Sequence, residues 1–140
     1  MKSEERKGGP MNTVPKDLKY TKDHEWISVI EGNIGLCGIT FHAQQLLTDI
    51  VFVELPEVGL TVEAGERVAV VESVKAVSDI FSPVSGKIIE VNNTLEDNPA
   101  LINTDPYGEG WIFKLGIDDT EDIGALMSAA DYEKHIAAGK

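Results

Sequence analysis

From Tyr20 onward the chain alternates short apolar runs with turn residues. Trp26-Ile27-Ser28-Val29-Ile30 alternates, Glu31-Gly32-Asn33 interrupts, and Ile34 to Ile39 resumes, which predicts a β-hairpin. A helical turn over His42 to Leu47 precedes a strand at Ile50-Val51-Phe52-Val53-Glu54-Leu55. Pro56 ends that strand by removing a backbone donor. The turn Glu63-Ala64-Gly65-Glu66 feeds a strand from Arg67 to Glu72. Ser78 to Phe81 returns as its partner, and after the turn Pro83 to Gly86 the sheet continues through Lys87 to Asn92. A short helix is predicted within Leu95 to Leu101 and a strand at Trp111 to Leu115. Ile123, Leu126, Met127 and Tyr132 fall at helical spacing, predicting one helix from Glu121 to about Ala137. Closely spaced short strands with frequent turns predict a mainly β sandwich or barrel with helices at its ends. Trp26, Trp111, Phe52 and Phe113 lie on strand patterns and are predicted core residues.

Composition narrows the class. A chain of 140 residues, 42% hydrophobic, can bury one core. Residues 1–16 are charged and carry Gly8-Gly9-Pro10 and Pro15. They read as a flexible tail before a single domain at 17–140. Twelve basic residues against 24 acids give a net charge of −12, which repels phosphate backbones and argues against nucleic-acid binding. The single cysteine, Cys37, cannot form an internal disulfide and reads as a small core residue in a reducing compartment. No apolar run approaches the ~20 residues needed to cross a bilayer. The first ten residues lack an apolar signal core, and Glu4 and Glu5 are unlike a mitochondrial presequence. The expectation is a cytoplasmic protein, or one of the mitochondrial matrix only if a presequence has been removed. His24, His42 and His135 show no ligand spacing, so no metal site is expected.

Lys75 stands out by its setting. Glu72-Ser73-Val74-Lys75-Ala76-Val77-Ser78-Asp79 lies between two strand-like runs, so the lysine is predicted at a turn tip with small neighbours. An isolated lysine there is ordinarily a surface residue. A free lysine amine, with a reference pKa of ~10.4, is protonated at neutral pH and is a poor redox or acyl carrier. An amide with a carboxylic cofactor would remove the charge and make a long swinging arm.

Glu72-Ser73-Val74-Lys75-Ala76, Ser78-Asp79 and Ser82-Pro83-Val84-Ser85-Gly86 resemble the lipoylation segment of the glycine cleavage system H-protein family. His24-Glu25-Trp26, Gly38-Ile39-Thr40, Ala43-Gln44, Asp49 to Pro56 and Asp105 to Trp111 match in family order, so the resemblance runs from about Leu18 to Ile136. It implies a flattened β-sandwich or barrel of the lipoyl/biotinyl type, a barrel-sandwich hybrid, with short helices and a C-terminal helix. It also implies lipoate joined to Lys75 by an amide. The chain would be a non-catalytic, monomeric shuttle for the aminomethyl group of glycine. Its partners would be a pyridoxal-phosphate glycine decarboxylase, a tetrahydrofolate-dependent aminomethyltransferase, a flavin dihydrolipoyl dehydrogenase and a lipoylating enzyme. By the same resemblance, Glu25 and Asp79 would form an acidic cleft for the cationic cargo, with Asp23 a weaker candidate. Glu72, Val74 and Ala76 would be read by the lipoylating enzyme, and Glu54 would serve that recognition or the sheet edge.

The chain also departs from the family pattern. Phe41 stands where many relatives carry aspartate, and Leu46 and Leu47 occupy an often polar stretch. Other readings remain at this stage: an H-like relay that supplies lipoyl groups to other enzymes, or a lipoyl module of a 2-oxo-acid dehydrogenase, which typically centres on Asp-Lys-Ala. A biotinyl carrier would show Met-Lys-Met. An enzyme using Glu25 and Asp79 as an acid/base pair lacks a nucleophile or an organised pocket motif.

Overall fold

A computed structural model describes residues 14–139. Among these residues, nine strands form two antiparallel sheets. The larger is ordered β1-β2-β3-β9-β8-β5 and the smaller β4-β6-β7. Their ranges are β1 Lys19–Tyr20, β2 Glu25–Glu31, β3 Ile34–Ile39, β4 Ile50–Glu54, β5 Thr61–Val62, β6 Arg67–Ser73, β7 Val77–Phe81, β8 Gly86–Val91 and β9 Phe113–Ile117. Alternation drives the layering. In β9, Phe113, Leu115 and Ile117 point inward while Lys114 and Gly116 are half-buried. Val53, Val71 and Ile80 supply the inner face of the smaller sheet, packed against Ile27, Ile39, Ile88 and Leu115. The result is a mainly β barrel-sandwich, as the strand pattern predicts.

Cys37 is fully buried in this core. Desolvation pushes its thiol pKa well up, with the nearby Glu25 adding to the effect, so it stays a neutral small side chain. Close packing also fixes a glycine: a Cβ on Gly38 would lie 2.9 Å from the Trp26 indole, whose Nε1 donates to the carbonyls of Ile39 and Pro106.

Several expectations need correction. Phe52 is 51% exposed and Trp111 only half-buried, because Phe52 falls on the outer face of β4 and Trp111 precedes β9. The region from 94 to 104 forms two one-turn helices, α2 Thr94–Asp97 and α3 Leu101–Thr104. The predicted long C-terminal helix is two elements. A 3-10 helix at Thr120–Ala125 starts beneath the Asp119 side chain, which accepts from the Glu121 N–H, and α4 runs Ala129–Ala137. Met127 exchanges both backbone hydrogen bonds with Tyr20, which pulls the chain into an extended bridge, and Ser128 then caps a fresh helix by accepting from Asp131 N–H.

A second, smaller core lies where the two ends of the described chain meet. Val14, Tyr20, Trp26, Ala129 and Tyr132 are buried together, with the Tyr20 and Tyr132 rings stacked at 4.6 Å. The expected tail at 1–16 falls outside the described residues up to 13. Of the rest, Val14 is 5% exposed and the Pro15 carbonyl accepts from the Tyr20 hydroxyl, so packing begins before the expected boundary.

Candidate functional site

Lys75 sits at the turn between β6 and β7. The turn is held by one serine: Ser73 Oγ accepts from the N–H groups of Lys75 (3.2 Å) and Ala76 (3.0 Å) and donates to Ala76 O (3.2 Å). Ser73 N donates to Ala76 O and Val74 N to Asp49 O, which ties the tip to the start of β4. A serine that gathers the backbone of the next residues in this way builds a turn without bulk. Val74, Lys75, Ala76 and Val77 are all exposed, and the Lys75 amine has no ion-pair or hydrogen-bond partner among the described residues. Such a lysine fits a cofactor joined through its amine: the residue is exposed, and acylating Nζ breaks no hydrogen bond or ion pair among the described residues.

Glu25 occupies the opposite situation. It starts β2 and is 2% exposed. Thr21 Oγ1 donates to its Oε1 at 2.5 Å, and the Phe81 N–H donates to its Oε2 at 3.1 Å. Burial pushes its pKa from 4.5 to about 7, those two hydrogen bonds oppose the shift, and nearby Asp23 adds to it. The Thr21-Lys22-Asp23 turn makes this possible, because His24 takes a left-handed conformation (φ 73°) that returns the chain into β2. Glu25 lines an open cleft with Thr21, Asp23, Phe81, Ser82 and Leu126.

Asp79 is not among the residues lining that cleft. It lies on β7, half exposed, with Arg67 Nη1 3.8 Å from its carboxylate. The second acid at the cleft is Asp23, the weaker of the sequence candidates. Glu72 and Glu54 sit on β6 and β4 of the lysine-bearing sheet, Glu72 half-buried and Glu54 exposed. Sequence reasoning missed the roles of Thr21 and Phe81. The Phe81 donor is a backbone group and leaves no trace in residue type, and Thr21 is separated from Glu25 by a turn whose shape no motif announces. Ser73 was visible as a small neighbour, and its position two residues before the displayed lysine is the signal of its turn-building role.

The histidines are closer than their spacing suggests. The His24 ring centroid is 4.8 Å from that of His42 and 5.8 Å from that of His135. His24 Nδ1 and the Tyr132 hydroxyl are 2.7 Å apart, and that hydroxyl is also 2.7 Å from Thr40 Oγ1. Thr40 caps α1 (Phe41–Leu47), so this network ties α1, α4 and the β1–β2 turn together. Burial raises the pKa of Tyr132 and of its neighbour Tyr20. Among the described residues no group of three or more His, Cys, Asp or Glu is arranged to hold a metal ion.

Two open antiparallel sheets with a lysine displayed at a hairpin tip define a barrel-sandwich hybrid of the lipoyl and biotinyl carrier class. Comparison with known proteins narrows the class. The family described as Glycine cleavage H-protein matches residues 18–139. The chain is 56% identical over 129 residues to the glycine cleavage system H protein of Symbiobacterium thermophilum, covering 92% of this chain and 100% of that protein. It is 55% identical over 124 residues to that of Carboxydothermus hydrogenoformans, covering 89% and 95%. A crystal structure of a glycine cleavage system H protein from Mycobacterium marinum matches with a TM-score of 0.81 and 45% identity, covering 89% of this chain and 99% of that one. The chain belongs to the glycine cleavage H-protein family.

Proposed function

We propose that this protein is the lipoyl carrier of a glycine cleavage system, with Lys75 as the attachment point and Glu25 as the far end of the arm's path. The observation that carries this reading is the exposed Lys75 amine, without a partner among the described residues, on a serine-braced turn in a chain that belongs to the H-protein family. When bound, lipoate supplies a disulfide able to accept the aminomethyl group of glycine and to be regenerated by oxidation.

The chain's own part is to display, guide and shield. From Lys75 Cα to the ring sulfur such an arm spans about 15 Å when extended. The outer face of β7 presents Val77, Asp79 and Phe81 in succession, and Phe81 lies about 13 Å beyond Val77 at the usual strand rise. Asp79 and then Phe81 would flank an arm on Lys75, and the Phe81 N–H meets Glu25 at the cleft. There the buried carboxyl would favour a cationic amine over a neutral group, holding it as the carboxylate with its own proton released to solvent. Asp79, half exposed and facing Arg67, contributes less. Glu72, Val74 and Ala76 are assigned to recognition by the lipoylating enzyme.

The chain carries out no catalytic step in this reading. A glycine decarboxylase, an aminomethyltransferase and a dihydrolipoyl dehydrogenase act on the arm in turn. The carrier is a monomer of one domain that includes Val14 in its packing, a form suited to visiting several enzymes, and it works in the cytoplasm, as expected from its bacterial relatives. The lipoyl-relay reading has no observation in its favour here. Reconstitution tests the proposal: the lipoylated chain, the three enzymes and glycine should release carbon dioxide, and no release with lipoyl transfer to other proteins intact would overturn it.

A further inference from the structure

Two sizeable apolar side chains stand in water beside the lysine tip. Phe52 on β4 and Val77 on β7 are 51% and 67% exposed. Both pair with the same central residue, Glu72. Directly paired residues of antiparallel strands share a face. Phe52, Glu72 and Val77 therefore form one row across the outer face of the smaller sheet. The next row on that face is Glu54, Val70 and Asp79. The face thus combines two exposed apolar side chains with three carboxylates, and Arg67 lies 3.8 Å from the outermost of them.

We propose that this face, centred on the Phe52–Glu72–Val77 row, is the docking surface for the enzyme that acylates Lys75, and that this partner meets it with an apolar groove rimmed by basic side chains. The inference rests on Lys75 being the attachment point. Reach assigns the occupant. Val77 is two residues from Lys75, so their Cα atoms are at most about 7 Å apart. An enzyme that forms the bond to Nζ must bring its acyl carbon to the lysine itself and so covers the surface around the tip. Enzymes that act on the far end of the arm work about 15 Å from the lysine Cα and need not touch the row. Charge points the same way: a cluster of carboxylates in a chain of net charge −12 selects a basic rim. The apolar pair gives that rim something to close over.

The chemistry served is acyl transfer from a lipoyl adenylate. The neutral Nζ attacks the acyl carbon, the C–N bond forms, the bond from that carbon to the phosphate oxygen breaks, AMP leaves with the electron pair, and the amine proton passes to solvent.

The test uses the full chain in its unmodified form with a lipoate–protein ligase, lipoate and ATP, followed by intact mass. Phe52→Ser with Val77→Ser should lower kcat/KM for lipoylation by about tenfold, mostly through KM. Added salt should slow the wild-type reaction. Phe52→Ser alone lies on β4, off the strand proposed to flank the arm; it should lipoylate more slowly yet, once driven to completion with excess ligase, be turned over by dihydrolipoyl dehydrogenase at the wild-type rate. Val77→Ser alone, at the more exposed position, should shift lipoylation in the same direction and covers the case in which the paired change disturbs the sheet. Unchanged lipoylation, or an equal loss in lipoylation and in dehydrogenase turnover, would overturn the docking surface alone. A wild-type chain that gains no lipoyl mass at Lys75 would overturn the attachment reading, and the surface with it.

Discussion

The Lys75 turn and the Glu25 corner stand at opposite ends of β7 and are built by opposite rules. At the turn, four consecutive exposed residues surround an amine with no partner among the described residues, and a single serine hydroxyl holds the backbone. At the corner, a carboxyl group is buried with both oxygens engaged, by the Thr21 hydroxyl and by the Phe81 amide. A group that must be reached and modified gains from exposure. A group that must recognise a cation gains from desolvation, because charge interactions strengthen as water is removed. One strand, β7, joins the two environments, running from Val77 beside the lysine turn to Phe81 at the Glu25 corner.

Removing the modifiable amine should have the largest effect. Lys75→Arg keeps the charge but should abolish lipoylation by intact mass and glycine cleavage with it, while stability changes by less than about 0.5 kcal/mol in urea unfolding, as for other exposed positions. Single-site modification that persists in this variant would break the contrast at its exposed end. Glu25→Gln tests the buried end. A carboxyl whose pKa rises on folding binds its proton more tightly in the folded chain, so its contribution to stability declines as pH rises from 4.5 to about 7. The variant should lose that decline, so that its stability relative to wild type improves across this window by on the order of 2 kcal/mol. The same variant should lipoylate normally yet lose the aminomethyl cargo several-fold faster, read as ammonia release.

Ser73→Ala should act on the turn alone. It removes the acceptor for two backbone N–H groups and should cost about 0.5–1 kcal/mol and slow lipoylation a few-fold, leaving the Glu25 titration unchanged. Asp79→Asn should do least, shortening cargo lifetime by less than about twofold, because the exposed carboxylate already faces Arg67. A larger effect than that of Glu25→Gln would reverse the order of the two acids.

Most of the fold was legible because half-buried strands write their sidedness into every second residue, as in Phe113, Leu115 and Ile117. Alternation does not say which face turns inward when both carry apolar residues, and so Phe52 was expected in the core. The C-terminal periodicity was real but was read through Met127, where pairing with Tyr20 overrides helix propensity. The displayed lysine was legible through its neighbours. The composition of the cleft was not: Asp23 and Glu25 enter it through a left-handed residue at His24, while Asp79 shares the face of Phe81 but lies two residues short of the cleft along β7. The approach of His42 and His135 to His24 joins α1, α4 and the β1–β2 turn, separations that no local pattern spans.

The bridge between Tyr20 and Met127, with Tyr132 stacked on Tyr20, also closes a loop of about a hundred residues. Contacts of such separation cost more chain entropy to form than the hairpins that make up the two sheets. Loosening this clasp therefore frees β1 and α4 together and leaves the lysine hairpin, closed by neighbours a few residues apart, intact.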